Sequence, residues 1–260
     1  MEVLITGGAG FLGAKLARQL LARGTLAGPS GQPEKISRIT LLDQVAAQGF
    51  NDPRIAIMTG DAADPAVIAK ALVPSVQSIF HLAAVVSGEA ESDFDLGMRI
   101  NLDATRILLE QARKNGNRPR LVFTSSVAVF GGDLPPKVLD STPATPQGSY
   151  GAQKAMCELM VTDYSRKGFV DGRSLRLPTV SFASGIIREP LNGVVSVCPV
   201  PPETKVWALS PRSTVHNLIH AHELDSAAFG SAGAVNLPGL TTTVGEMVAA
   251  MGRVAGADTM

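Results

Sequence analysis

The chain has 260 residues, 45% hydrophobic and 18% charged, which suits one large packed domain with a small appendage and excludes the disordered class. Lysine plus arginine equals aspartate plus glutamate at 23 each, so no charge excess points to nucleic acid or a membrane surface. Two cysteines without CxxC spacing, Cys157 and Cys198, argue against a disulfide framework or cysteine zinc site and fit a reducing cytoplasm.

The opening "MEVLITGGAG" lacks a basic leader, so "EVLIT" (2–6) reads as a buried strand and not as a signal peptide. "FLGAKLARQLLARG" (11–24) has helical periodicity and stops at a glycine. A Gly/Pro/Ser-rich loop follows at 24–35. "RITLLD" (38–43) and "RIAIMTGD" (54–61) are predicted strands. "DPAVIAKAL" (64–72) is a helix with an aspartate N-cap and proline at its first position. "SIFHLAA" (78–84) is a fourth strand, and residues 92–115 form one long helix. "RLVFTSS" (120–126) is a fifth strand, 149–167 a helix and "RSLRLP" (173–178) a sixth strand. Beyond about 180 the rhythm loosens into short strands at 206–210 and 233–238 and helices at 213–229 and 243–255. No stretch reaches the roughly 20 continuous apolar residues of a membrane span.

The strands are near-continuous apolar runs without alternation, the pattern of a parallel sheet covered on both faces. Alternating strands and helices then imply an α/β fold with a doubly wound parallel sheet, a Rossmann fold, and a small C-terminal substrate lobe. The expected division is 1–178 for the dinucleotide-binding domain and 179–260 for a mixed lobe interleaved with its end.

In "TGGAGFLG", Gly7, Gly10 and Gly13 lie between the first strand and its helix. Glycines there permit a tight turn, close approach of backbone to a pyrophosphate and close packing of helix on strand. Phe11 and Leu12 open that helix, whose free N–H groups face the phosphates. Asp43 ends the second strand, where a carboxylate accepts from the ribose hydroxyls and repels a 2′-phosphate, so the expected cofactor is NAD and not NADP. Asp61 in "GDAAD" is placed to reach the adenine amino group. Ala83 and Ala84 let a flat ligand lie over the strand end, while His81 reads as a packed strand residue.

"SYGAQKAMCEL" puts Tyr150 and Lys154 one helical turn apart. A tyrosine with an ordinary value near 10 is a poor base at neutral pH, and an adjacent ammonium favours its phenolate. Thr124, Ser125 and Ser126 end the fifth strand at the same sheet edge as the glycine turn, so a hydroxyl can meet a substrate oxygen there.

Taken in order, "TGGAGFLG", "GDAAD", "HLAA", "NLDAT", "FTSSVAVFG" and "YGAQK" resemble the extended short-chain dehydrogenase/reductase family, also called the NAD-dependent epimerase/dehydratase family, from Met1 to about Pro178. The resemblance implies NAD chemistry in which Ser126 orients substrate, Tyr150 is the acid/base and Lys154 holds the ribose and tunes Tyr150. It also implies that Thr124 and Ser125 line the cofactor, that Asn101 supports the site, that Pro178 borders the cofactor, and that the enzyme is a homodimer. Phe130 stands where many members have a second tyrosine.

Residues 181–193, 197–224 and 236–251 resemble the branch of that family that oxidises the C2 hydroxyl of D-erythronate, a four-carbon sugar acid, with NAD. A sugar-nucleotide 4-epimerase or a related NAD-dependent sugar-nucleotide enzyme is the alternative. A small acid needs a cation for its carboxylate, and a guanidinium suits that task. Arg212 is the first candidate and Arg188 the second, with Ser87 and Thr179 available for hydroxyls. His216, His220 and His222 lie close together in "HNLIHAH", but packing or a partner contact is the expectation and no metal is required.

Overall fold

The structure is a computed structural model and describes residues 1–178, 181–229 and 233–256. Its strands are β1 (Glu2–Thr6), β2 (Thr25–Ala27), β3 (Pro33–Lys35), β4 (Arg38–Asp43), β5 (Ile55–Thr59), β6 (Val76–His81), β7 (Arg120–Ser126), β8 (Asp171–Leu177), β9 (Lys205–Ala208), β10 (Ala234–Asn236) and β11 (Leu240–Thr243). The helices are α1 (Phe11–Arg23), α2 (Pro65–Ala71), α3 (Ser87–Ser92), α4 (Phe94–Gly97), α5 (Ala104–Asn115), α6 (Ser149–Arg166), α7 (Ser181–Leu191), α8 (Pro211–Glu223) and α9 (Val244–Ala255).

Seven strands form one sheet in the order β10-β8-β7-β6-β1-β4-β5, and every pairing in it is parallel. The strands are apolar throughout because both faces are covered. Helices α2, α5 and α6 pack together over one face, and α1 and α8 lie together against the strands on the other. Leu4, Ile79, Leu108, Leu121, Phe123 and Val161 belong to one core cluster of buried residues. The order reverses between β1 and β6, so the crevice at the carboxyl ends of those two strands is where a doubly wound sheet receives a ligand.

The chain divides into two compact units, Met1–Leu177 with Pro211–Leu237, and Pro178–Ser210 with Pro238–Met260. The span 179–260, expected as a lobe interleaved with the end of the first domain, is shared between the two units. Its middle returns to the first unit because β10 extends the sheet beside β8 and α8 buries Val215, Leu218 and Ile219. The second unit has β9 and β11 paired antiparallel and a small core of Ile186, Val206 and Val244. A capping box between Thr243 and Glu246 opens its α9.

Three local expectations are corrected. The loop at 24–35 contains the antiparallel pair β2–β3, because Leu26 and Ala27 bury apolar side chains. The single helix at 92–115 is broken: α3 ends before Asp93, whose side chain accepts from the Leu96 N–H to start α4. A π-helical turn (Met98–Asp103) then precedes α5. The helix expected at 213–229 ends at Glu223 and is followed by a 3₁₀ turn, Ser226–Phe229. Among the described residues, no helix is long and apolar enough to cross a membrane.

Candidate active site

The turn between β1 and α1 is built on close backbone approaches. Gly7 has φ +71°, and a Cβ on it would come within 2.8 Å of the Ala83 nitrogen. A Cβ on Gly13 would lie 2.1 Å from the Gly7 carbonyl oxygen. Neither position tolerates a side chain, so the turn stays tight and α1 sits directly on the strand end. Gly10 is the N-cap of α1 and supplies no capping side chain, leaving the first N–H groups available to an anion.

A cavity of about 470 Å³ opens over this turn. Gly7, Gly10, Phe11, Leu12 and Gly13 form its floor on one side. Asp43, Asp61, Ala83, Ala84 and Thr124 also line it, as do Gln44, Val85 and Ile100. Ten of the residues expected to hold the cofactor therefore surround one cavity at the carboxyl edge of the sheet. A glycine cradle, an uncapped helix N-terminus and a strand-end carboxylate on one cavity suit a dinucleotide.

Asp43 has a double task. Its Oδ2 accepts the Ala9 N–H (3.0 Å) and its Oδ1 the Gln44 N–H (2.7 Å), so the carboxylate ties the glycine turn to the end of β4. Asp61 accepts the Ala63 N–H (2.8 Å) through Oδ1 and is ion-paired with Arg99 through Oδ2. Arg99 is absent from the residues singled out in the sequence. Nothing local signals it, because its partner lies 38 positions earlier.

Asn101 lies in the π-helical turn and is almost completely buried. It does not line the cavity. Its Oδ1 accepts the Val85 N–H (2.9 Å) and its Nδ2 donates to Gln153 Oε1 (2.8 Å). It thereby links the loop after β6 to α6, one turn from Tyr150. His81 is packed in its strand. Its Nδ1 meets Thr6 Oγ1 at 2.6 Å and its Nε2 meets Thr105 Oγ1 at 2.9 Å. Burial, aided by the Lys154 charge, pushes His81 down to about 3.

On the other side of the site, Ser126 ends β7 and Tyr150 and Lys154 stand on α6. Tyr150 is hydrogen-bonded to the Ser126 hydroxyl. The Lys154 ammonium lies 5.6 Å from the centre of the Tyr150 ring and donates to the Thr124 carbonyl at 2.9 Å. Gly151 makes this docking possible, since a Cβ there would come within 2.1 Å of the Ala128 carbonyl oxygen.

The electrostatics differ from the sequence expectation. Burial raises the Tyr150 phenol above its ordinary value, and the Ser126 hydrogen bond is the force that opposes it. Lys154 is itself pushed down to about 8 by burial, against the opposing effects of Cys157 and Glu158. Tyr150 is thus held protonated at neutral pH, with a buried ammonium one turn away.

The remaining candidates separate. Ser125 is buried in β7, its hydroxyl without a hydrogen-bond partner. Ser87 opens α3 and is half-buried. Thr179 lies outside the described residues. Pro178 follows β8 and is counted with the second unit, as is Arg188, which is exposed and pairs with Glu189 at 3.2 Å. Arg212 is exposed in the first turn of α8. His222, at the far end of α8, meets Ser78 Oγ at 2.9 Å, and its carbonyl accepts from Arg120 at the start of β7. The helix therefore runs from the carboxyl edge of the sheet to the amino edge, over ~18 Å at 1.5 Å per residue. Arg212 stands at the end nearer the cavity. His216 and His220 stack in parallel at 6.3 Å on the exposed side of α8, and no cluster of three or more metal-ligating side chains occurs among the described residues.

Residues 3–184 match the model of the NAD dependent epimerase/dehydratase family. The chain belongs to that family. It is 58% identical to a D-erythronate dehydrogenase of Cupriavidus necator, over 98% of this chain and 82% of that protein. Identity to a D-erythronate dehydrogenase of Haemophilus influenzae is 45%, over 98% of this chain and 83% of that protein. Among solved structures, it is similar to a nucleoside-diphosphate-sugar epimerase from Agrobacterium tumefaciens. The TM-score is 0.88 and the identity 42%, covering all of this chain and 80% of that one. The cofactor of this family member is NAD, and its fold is the NAD-binding doubly wound sheet.

Proposed function

We propose that this chain oxidises the C2 hydroxyl of D-erythronate to a ketone, using NAD. The observation that carries the reading is the assembly of Ser126, Tyr150 and Lys154 at the carboxyl edge of β7, beside the glycine cradle. The names of the two relatives at 58% and 45% identity support the choice of substrate.

When bound, NAD supplies the acceptor for the hydride from C2. The protein's own residues do the rest. Gly7, Gly10 and Gly13, with the first turn of α1 at Phe11 and Leu12, hold the pyrophosphate against free N–H groups. Asp43 retains lone pairs beyond its two backbone bonds and accepts from the adenosine ribose. Asp61, steadied by Arg99, faces the adenine. Ala83, Ala84 and Thr124 would line the cavity for the nicotinamide, and Asn101 fixes the loop after β6 through the Val85 N–H.

Tyr150 takes the proton of the C2 hydroxyl while Ser126 holds the same oxygen. With NAD and substrate present, the cationic nicotinamide and the Lys154 ammonium both favour the phenolate, offsetting the burial that holds the phenol protonated in the free protein. Lys154 also binds the nicotinamide ribose. Arg212 receives the substrate carboxylate, with Ser87 as a further substrate contact.

Purified protein with NAD and a panel of four- to six-carbon sugar acids tests the reading, with UDP-glucose alongside. NADH should accumulate with D-erythronate. Interconversion of UDP-sugars without net NADH would favour a sugar-nucleotide epimerase, a reading supported by the name of the Agrobacterium relative.

We further propose a homodimer formed through α5 and α6. Met156 and Leu159 on α6 are 38% and 73% exposed, apolar area that a second copy would cover. A reducing cytoplasm suits the two free cysteines.

A further inference from the structure

Helix α6 carries the reacting phenol in its first turn but begins without a cap of its own. Its N-cap is Gly148, which has no side chain to offer. The orphan N–H groups of a first turn need acceptors, and fraying there would move whatever the turn carries. Here the acceptor comes from a different element. The Glu91 carboxylate on α3 accepts the Ser149 N–H through Oε1 and faces the Ser149 hydroxyl at 3.4 Å through Oε2. Tyr150 is the next residue.

Gly148 matches this contact. Its φ of −144° is open to any residue, so backbone conformation does not demand glycine. What glycine preserves is the contact: a Cβ at 148 would lie 2.5 Å from Glu91 Oε1, so the flexible Glu91 side chain would have to swing away. The two residues form a matched pair, a carboxylate reaching in from α3 and a gap in α6 that admits it.

We propose that Glu91 is a positioning residue for the reaction, a cap supplied from α3 that fixes the first turn of α6 and thereby the direction of the Tyr150 hydroxyl. It ties the segment after β6, which begins α3 at Ser87, to the acid/base. Glu91 touches no reacting atom. The role rests on Tyr150 being the acid/base.

Turnover with the sugar acid that gives NADH is measured for Glu91→Ala, Glu91→Gln, Gly148→Ala and the double variant Glu91→Ala/Gly148→Ala, with Tyr150→Phe as reference. Glu91→Ala should lower kcat about fivefold and leave the KM for NAD within about twofold, since cap removal costs on the order of 1 kcal/mol. Glutamine keeps the acceptor oxygen, so Glu91→Gln should stay within about twofold of the parent. Gly148→Ala should displace Glu91 and match Glu91→Ala, and the double variant should lose no more than Glu91→Ala alone.

An unchanged kcat in Glu91→Ala, even with a lowered Tm, overturns the proposal and leaves Glu91 a purely structural contact. Equal losses in Glu91→Gln and Glu91→Ala overturn it as well, because the hydrogen bond would then be irrelevant. High activity in Tyr150→Phe defeats the acid/base reading itself. An inactive Tyr150→Phe beside a fully active Glu91→Ala defeats only the cap.

Discussion

At the carboxyl edge of the sheet, Asp43 lines a cavity and Tyr150 meets Ser126 at the end of β7, whereas at the amino edge the polar groups are turned on one another. Arg173 is completely buried and donates to the Asp171 carboxylate (3.0 Å) and to the carbonyls of Asp171 and Leu224. Arg120 donates to the His222 carbonyl, and His222 stacks on Phe80 with ring centres 5.2 Å apart. Both edges bury charge. The amino edge spends it on docking α8 and the last strands, while the carboxyl edge keeps a protonated phenol and, one turn away, an ammonium that burial pushes down to about 8. The difference predicts that substitutions at one edge change rate and at the other change stability.

Tyr150→Phe should show the largest effect. Removing a positioned acid/base costs about 10²–10⁴-fold in turnover, while NAD binding and Tm stay close to the parent; a titration with NAD and a thermal melt check both. Arg173→Leu is its counterpart. It leaves Asp171 without its closest cation, and breaking a buried pair costs roughly 3–5 kcal/mol. Urea unfolding should register that loss, with kcat per folded molecule unchanged. A Tyr150→Phe protein that melts early, or an Arg173→Leu protein with crippled kcat, would erase the distinction between the edges.

The carboxyl edge was far more legible than the amino edge. Glycines at 7, 10 and 13 and the Tyr150–Lys154 spacing are short-range patterns imposed by one turn or one helix, so a linear reading finds them. Asp61–Arg99, Glu91–Ser149 and the Arg120–Asp171–Arg173–His222 group join positions tens of residues apart, and only the sheet order brings them together. The same cause explains the broken helix at 92–115. Its apolar periodicity is continuous, but Asp93 caps a new start and the bonds of Asn101 to Val85 and Gln153 hold the chain in a π turn. Burial outweighs the expected help from Lys154 to Tyr150 in the free protein for a physical reason as well: spacing places a charge, but burial decides its strength. In the second unit, short strands and a small core leave little periodicity to read.

The two buried histidines, one at each edge, extend the comparison to pH. Burial pushes His81 and His222 each down to about 3, below the ordinary value near 6.5. The unfolded chain therefore takes up these protons first, and stability is full above pH 6.5 and declines as pH falls toward 3. Each histidine contributes about 1.4 kcal/mol per pH unit in that window, so at pH 5.5 the pair costs roughly 3 kcal/mol. His222→Asn should halve the slope of unfolding free energy against pH while leaving kcat intact. An unchanged slope would remove His222 from the acid-sensitive group.

Helix α8 belongs to both edges, so its first turn gives the finest test. Its far end is fixed by His222 and by the Arg23–Glu223 pair, which makes the helix a rigid arm with Arg212 at the tip. If that tip meets the substrate, Arg212→Ala removes a charge-assisted bond to a carboxylate and raises the KM for the sugar acid about tenfold or more. The KM for NAD and the Tm should hardly move, because the side chain is exposed and the buried part of α8 is untouched. Arg188→Ala serves as the control, since its guanidinium already pairs with Glu189 and should matter less. A wild-type KM in Arg212→Ala would confine α8 to the stability side of the molecule. A raised KM would show that one helix, docked by buried charge at the amino edge, delivers a free charge to the chemistry at the other.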